Sequence, residues 1–199
     1  MISQEEKITK IIKQNGFIRA RDLKKRKLHR TSLTRLCDKD KIQKLSWGLY
    51  SLKNAEITAH HNFAELSKKV PHGIICLLSA LSFYEIGTQL PGKIWLALKQ
   101  GVSTPKIKYP PFRVVRFSGV SFSSGVKKHK IEGVSVSVTC LEKTIADCFK
   151  FRNKIGIDVA IEALKDGIKS KKCRINELEK YSSICRVQKI IMPYIQTLI

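Results

Sequence analysis

Apolar residues recur at helical spacing through the first forty positions and then give way to a short, loosely alternating run. Ile8, Ile11 and Ile12 fall on one face of a helix spanning Ser3 to Asn15. Ser3 and Glu6 have the spacing of a capping box at its start, and Gly16 is suited to end it. A second helix is expected over Ala20 to Lys27, with Leu23 inward and Lys24, Lys25, Arg26 and Lys27 outward. A third runs from Thr31 to Asp38, opened by Arg30 or Thr31 and packed through Leu33, Leu36 and Cys37. Ile42 to Leu52 then reads as a hairpin turning near Trp47-Gly48. Helix, helix, turn, helix and hairpin is the order of a winged helix-turn-helix, whose third helix fits the DNA major groove.

Beyond a boundary expected at Lys53 to Thr58 the pattern starts afresh. Phe63, Leu66 and Val70 share one helical face, and Pro71-His72-Gly73 breaks that helix. Ile74 to Leu78 fits a strand or the start of a buried helix, and Ser79 to Ile86 reads as helical. Strands are expected at Ile94–Leu98, Phe112–Phe117, Val120–Phe122 and Val134–Val138, with Lys127 to Lys130 in a loop. Thr139 and Glu142 suggest a second capping box before Leu141, Ile145, Cys148 and Phe149. Further helical patterns follow at Ile157–Ile168, from Ile175 through Tyr181, and at Val187–Leu198 with Pro193 inside. The fold class expected is α+β: an N-terminal winged helix-turn-helix at 1–55, then a mixed domain at 56–199 with a small sheet flanked by helices.

Charge changes the picture. The 199-residue chain carries a formal net charge of +22, a field that attracts polyanions. Residues 1–55 hold fifteen Lys and Arg against five Asp and Glu, and residues 56–199 hold twenty-three against eleven. Nucleic acid is the leading partner and an anionic membrane surface the second. Six cysteines without a C-x-x-C spacing read as reduced, buried thiols of a cytoplasmic protein. The opening residues lack a signal-peptide pattern, and the longest uncharged run, Val70 to Tyr84, is too short to span a bilayer.

Candidate DNA contacts follow from the winged-helix order. Arg30, Thr31, Ser32 and Arg35 occupy the start of the third helix, where Arg can contact guanine in bidentate fashion. Lys39 and Lys41 lie at its far end, Lys44, Ser46 and Trp47 near the wing tip, and Arg19 and Arg21 at the start of the second helix. In the second domain, Asp147, Lys150 and Lys154 share a helical side that is either a binding face or a solvated face, and spacing favours the solvated one. Arg113 and Arg116 differ by three, so they point to opposite faces of a straight strand. Lys106, Lys108, Lys127, Lys128, His129 and Lys130 add further charge.

Catalytic signatures are missing. His60 and His61 are adjacent, which makes them poor co-ligands. There is no H-E-x-x-H, P-loop, dinucleotide fingerprint or nucleophile elbow. The chain is expected not to be an enzyme and to need no cofactor or metal.

Several segments carry a family resemblance: Trp47-Gly48-Leu49-Tyr50-Ser51-Leu52, Leu77-Leu78-Ser79-Ala80-Leu81, Ile94-Trp95-Leu96-Ala97, Tyr109-Pro110-Pro111, Val114-Val115-Arg116-Phe117-Ser118-Gly119 and the run Lys143 to Lys154. Together they resemble AbiEi-type antitoxins. The resemblance implies a bacterial type IV toxin–antitoxin system of the abortive-infection kind. It implies an N-terminal domain that binds double-stranded DNA at repeats in its own promoter, with possible self-association there. It also implies a C-terminal domain that neutralises a nucleotidyltransferase toxin without a stable complex. The last segment thereby gains weight, and Asp147, Lys150, Arg152, Asn153 and Lys154 become candidates for antitoxin function. Arg19-Ala20-Arg21 departs from the pattern, because a Ser or Thr cap is expected before the second helix. The alternatives are a stand-alone regulator with a ligand-sensing C-terminal domain, and a nucleic-acid-processing enzyme.

Overall fold

The computed structural model describes residues 3–15, 17–46, 48–53 and 60–198. Its first elements are α1 (Gln4–Asn15), β1 (Phe17–Arg19), α2 (Ala20–Lys25), α3 (Thr31–Asp38), β2 (Ile42–Ser46) and β3 (Leu49–Leu52). The capping box at Ser3 forms: Glu6 N donates to Ser3 Oγ at 3.1 Å, and Ser3 N donates to Glu6 Oε2 at 3.0 Å. Ile8 and Ile12 of α1 meet Leu23, Leu33 and Leu36 in one buried cluster. Each such side chain contributes about 2 kcal/mol on burial.

The wing has three strands in the order β1-β3-β2, all antiparallel. β1 is an addition to the expected order, because three residues are too few to display alternation. The second helix is also shorter than expected: it stops at Lys25, and Lys27 takes a left-handed φ of 54°. Its start is held without a side-chain cap. Ala20 N donates instead to Gly48 O at 2.8 Å, so the wing turn caps α2 and Arg19 need not be Ser or Thr. Gly48 has φ +69°, a conformation that favours glycine.

The remaining elements are α4 (His61–Lys69), β4 (Ile74–Ile75), α5 (Leu77–Phe83), β5 (Ile94–Lys99), β6 (Phe112–Phe117), α6 (Gly119–Ser123), β7 (Val126–Ile131), β8 (Val134–Thr139), α7 (Leu141–Lys150), α8 (Arg152–Ile155), α9 (Ile157–Lys169), α10 (Ile175–Cys185) and α11 (Gln188–Gln196). The chain is therefore α+β. It divides into two compact units, residues 1–68 with 130–135, and residues 69–129 with 136–199. The expected boundary segment lies largely outside the described residues.

In the second unit the sheet order is β6-β5-β4-β8-β7. β5 runs parallel to β6 with Ile94 opposite Phe112, and antiparallel to β4 with Ile74 opposite Ala97. Ile94 to Leu98 are all buried, as suits an inner strand. Two expectations fail here. Val120 to Phe122 lie in the short helix α6, and Lys127 to Lys130 lie in strand β7. The hairpin turn is instead Glu132-Gly133, both at positive φ, which fits a two-residue turn between twisted strands.

Helix α7 is the centre of this unit. Leu141 to Phe149 are all buried, so it is enclosed on every side rather than amphipathic. Its expected capping box does not form. Thr139, the last residue of β8, shares a 2.7 Å hydroxyl contact with Thr144 and donates to Ile75 O at 3.4 Å. Glu142 instead faces Arg174, with Oε1 3.8 Å from Nε. Close packing extends to the turn before β7. Gly125 has φ +64°, and a Cβ there would lie 2.8 Å from Lys143 Cβ and 3.0 Å from Tyr181 Cε1. Gly125→Ala is expected to destabilise the protein by about 2–4 kcal/mol, combining left-handed strain with overpacking. Urea denaturation monitored by circular dichroism measures it, and a loss below about 0.5 kcal/mol would contradict this packing.

Candidate nucleic-acid interface

The exposed surface of α3 carries Thr31, Thr34, Arg35 and Asp38, at positions i, i+3, i+4 and i+7. One stripe of the helix therefore faces solvent while Ser32, Leu33 and Leu36 face the core. Arg30 precedes the stripe and is also exposed. Thr34 and Asp38 escaped the sequence reading, which weighed the first turn and the basic residues. The buried positions 32, 33 and 36 were the signal that could have marked 34 and 38 as outward.

The other sequence candidates divide into exposed and engaged side chains. Arg21 is exposed, its Nε 4.0 Å from Asp22 Oδ1. Lys44 is exposed on β2. Ser32 is buried at 7% exposure and donates to Gln4 Oε1 at 3.4 Å. The same oxygen accepts from His29 N at 3.2 Å, so Gln4 ties α1 to the turn before α3. Arg19 is half-buried, and its Nη2 donates to Lys68 O at 2.6 Å. Burial, followed by the neighbouring Arg21, holds the Arg19 guanidinium below its usual range. Lys39 Nζ lies 2.9 Å from Glu5 Oε2, joining the end of α3 to α1. That hydrogen bond from Lys39 is the main cause that lowers the Glu5 carboxyl. Ser32, Arg19 and Lys39 thus have partners within the unit. Trp47 lies outside the described residues, and the side chain of Ser46 does as well.

The Asp147 to Lys154 candidates do not form one face. α7 ends at Lys150 and a new turn, α8, starts at Arg152. Asp147 has 0% exposure and pairs with Lys143, also at 0%, at 2.5 Å. Cys185 Sγ donates to the other carboxylate oxygen at 3.2 Å, and Lys143 Nζ sits 4.9 Å from the Phe117 ring centroid. Burial pushes the Asp147 carboxyl up, and Lys143 pulls it back. Asp147 is therefore interior, not part of a solvated or binding face. Lys150, Asn153 and Lys154 are exposed. Lys150 Nζ donates to Ser121 Oγ at 3.3 Å, Lys154 Nζ lies 5.6 Å from the Phe151 ring, and Arg152 Nη1 donates to Phe149 O at 2.9 Å.

Elsewhere in this unit the basic residues also split. Arg116 Nη2 donates to Thr104 Oγ1 at 2.9 Å and Nη1 to Val102 O, pinning the crossover between β5 and β6. Arg113 stacks 5.0 Å over the Trp95 ring. Lys127, Lys128 and Lys130 are exposed along the edge strand β7. Five cysteines are buried and Cys37 is partly so. Among the described residues no group of three or more His, Cys, Asp or Glu could hold a metal ion, and no helix is long and apolar enough to cross a membrane.

The first unit is thus a winged-helix module presenting an exposed, mixed polar and basic stripe on its third helix. Residues 6–53 match the family described as "Transcriptional regulator, AbiEi antitoxin". The match covers this module and no other part of the chain. A comparison with curated proteins gave no match.

The buried pair makes a test of structural against functional roles. Asp147→Ala leaves Lys143 buried and unpaired and is expected to cost about 3–5 kcal/mol. The double variant Lys143→Met, Asp147→Leu should recover most of that loss, because it removes both charges together. Chemical denaturation of the three proteins measures this, and equal losses in single and double variants would contradict the pairing.

Proposed function

We propose that the chain is a cytoplasmic DNA-binding transcriptional regulator that represses its own promoter and serves as the antitoxin of a type IV toxin–antitoxin pair. The observation that carries the regulatory part is the exposed stripe Thr31-Thr34-Arg35-Asp38 on the third helix of a winged-helix module. The family match over the same residues supports it. In the mechanism we propose, α3 enters the major groove of double-stranded DNA. Arg35 and the two threonines face base edges, and Arg21, Arg30 and Lys44 neutralise phosphates. Bound at promoter repeats in two or more copies, the protein excludes polymerase. Its role is regulatory rather than catalytic. The partner is a nucleotidyltransferase toxin, neutralised by residues 56–199 without a stable complex, and the exposed Lys150, Asn153 and Lys154 are the residues assigned to that step.

The DNA reading predicts two different mutant phenotypes. Arg35→Ala is expected to cost about 1–3 kcal/mol on operator DNA and much less on random DNA. Lys44→Ala should weaken both about equally and reduce the salt slope by about one. Fluorescence anisotropy across a salt series measures both, and equal losses for Arg35→Ala on the two DNAs would remove it from sequence readout. The antitoxin reading is tested by growth rescue. The adjacent gene is induced alone, with the full chain, and with the full chain carrying Lys150→Ala, Asn153→Ala and Lys154→Ala. Rescue by the unmodified chain and loss of rescue by the triple variant is the expected result. A neighbour that is not toxic would leave a stand-alone regulator.

A further inference from the structure

Strand β6 carries two arginines, and the fold uses the donors of one. Arg116 gives its donors to Thr104 Oγ1 and Val102 O. Arg113 is exposed, and no hydrogen bond or ion pair engages it among the described residues. Its guanidinium carbon lies 5.0 Å from the centroid of the Trp95 ring, within reach of a cation–π interaction. The two residues stand opposite each other in the parallel register of β5 and β6, so their side chains share one face of the sheet. Trp95 is itself fixed. It is buried, its N donates to Ser79 Oγ at 2.9 Å, and its O accepts from Cys76 N at 3.0 Å.

A cleft of about 390 Å³ opens at this stack, with Leu78 of α5, Pro91, Gly92 and Lys93 in its lining beside Trp95 and Arg113. Leu78 and Pro91 are partly buried and give it an apolar wall. A Cβ at Gly92 would meet nothing within 4 Å, so the cleft is open on that side. Lys93 is exposed and, like Arg113, has no hydrogen bond or ion pair among the described residues. The volume is that of a small-molecule site. A planar guanidinium resting on a ring by one face offers its other face as a second stacking surface, and arginine planes receive nucleobases in this way. The indole holds the plane in advance, which lowers the ordering cost of binding.

We propose that this cleft binds a nucleotide, the base stacked on the outer face of the Arg113 guanidinium and against Leu78 and Pro91, the phosphate held by Lys93. The Trp95–Arg113 stack selects a flat ring rather than anionic charge in general. Stacking tolerates every base, so the ligand class is a nucleotide of any base, either free or as one unit of a single-stranded nucleic acid. The site lies in the second unit and uses no residue of the α3 stripe, so it stands or falls separately from promoter binding.

The test uses the full chain without promoter DNA and follows the indole N–H signal of Trp95 by NMR. The chain has two tryptophans, so Trp47→Phe assigns the signal. AMP is expected to shift it in a saturable, one-to-one manner. Inorganic phosphate and adenosine should each bind at least about tenfold more weakly, since each lacks one half of the recognition. Arg113→Gln should weaken AMP about tenfold, and Lys93→Gln should weaken AMP but not adenosine. Both positions are exposed, so these variants are expected to fold. Arg113→Lys keeps the charge and loses the plane, and should weaken AMP nearly as much as Arg113→Gln. A short oligoadenylate RNA is the second probe. Binding at least about tenfold tighter than AMP, lost in Arg113→Gln, identifies a single strand as the source; affinity equal to that of AMP identifies the free nucleotide. Absence of a saturable Trp95 shift with either probe, up to about 10 mM AMP, overturns the proposal. Binding by Arg113→Lys equal to that of the unmodified chain also overturns it.

Discussion

Enclosure of a charged helix segment sets the terms for the second unit. α7 is buried from Leu141 to Phe149, yet it carries Lys143 and Asp147 one turn apart. Two charges taken out of water cost several kcal/mol each, and their attraction repays this only with good geometry and further partners. Those partners come from different elements. Phe117 at the end of β6 faces the ammonium, and Cys185 at the end of α10 donates to the carboxylate. Gly125, before β7, is the residue whose missing side chain lets the Lys143 stem lie close. Sheet edge, turn and C-terminal helices therefore have to arrive in register around one ion pair. Interior charge of this kind adds little net stability but penalises every arrangement in which one partner is displaced.

The basic character of the chain also resolves into two populations. Arg19, Lys39, Arg116 and Arg152 spend their donors on backbone carbonyls or carboxylates of the same unit. They tie β1 to α4, α3 to α1, the crossover to β6, and α8 to α7. Arg21, Arg30, Arg35 and Lys44 remain exposed on the winged-helix module. The excess charge read from composition is thus partly internal bracing, and only the remainder can act on a polyanion.

Much of the winged-helix module was legible because its signals are local. The Ser3 capping box, the isoleucine spacing of α1 and the extent of α3 needed no tertiary information. β1 was hidden because three residues show no period, and the cap of α2 because it comes from the wing turn rather than from a neighbour in sequence. In the second unit, β5, β6 and β8 announced themselves through apolar or alternating runs. The run Lys127 to Lys130 did not, since an edge strand bearing lysines resembles a charged loop. Asp147 was misjudged for a related reason: i,i+3 spacing to Lys150 describes a helical side but cannot say that another layer covers it. The stripe on α3 was half seen, because residue type drew attention to Arg35 and away from Thr34.

Burial has sorted the six thiols into two reactivity classes. It pushes Cys173 and Cys185 up to about 12, and raises Cys76, Cys140 and Cys148 as well. These five hold almost no thiolate at neutral pH and are shielded from oxidants. Cys37 is only partly covered, with its thiol raised mainly by that partial burial. It stands on α3 beside Thr34 and Asp38, next to the outward stripe. The chain thereby carries a built-in attachment point: a slow, selective thiol label would go to Cys37 first and place a spectroscopic reporter at the edge of the outward face of α3 without any cysteine being removed.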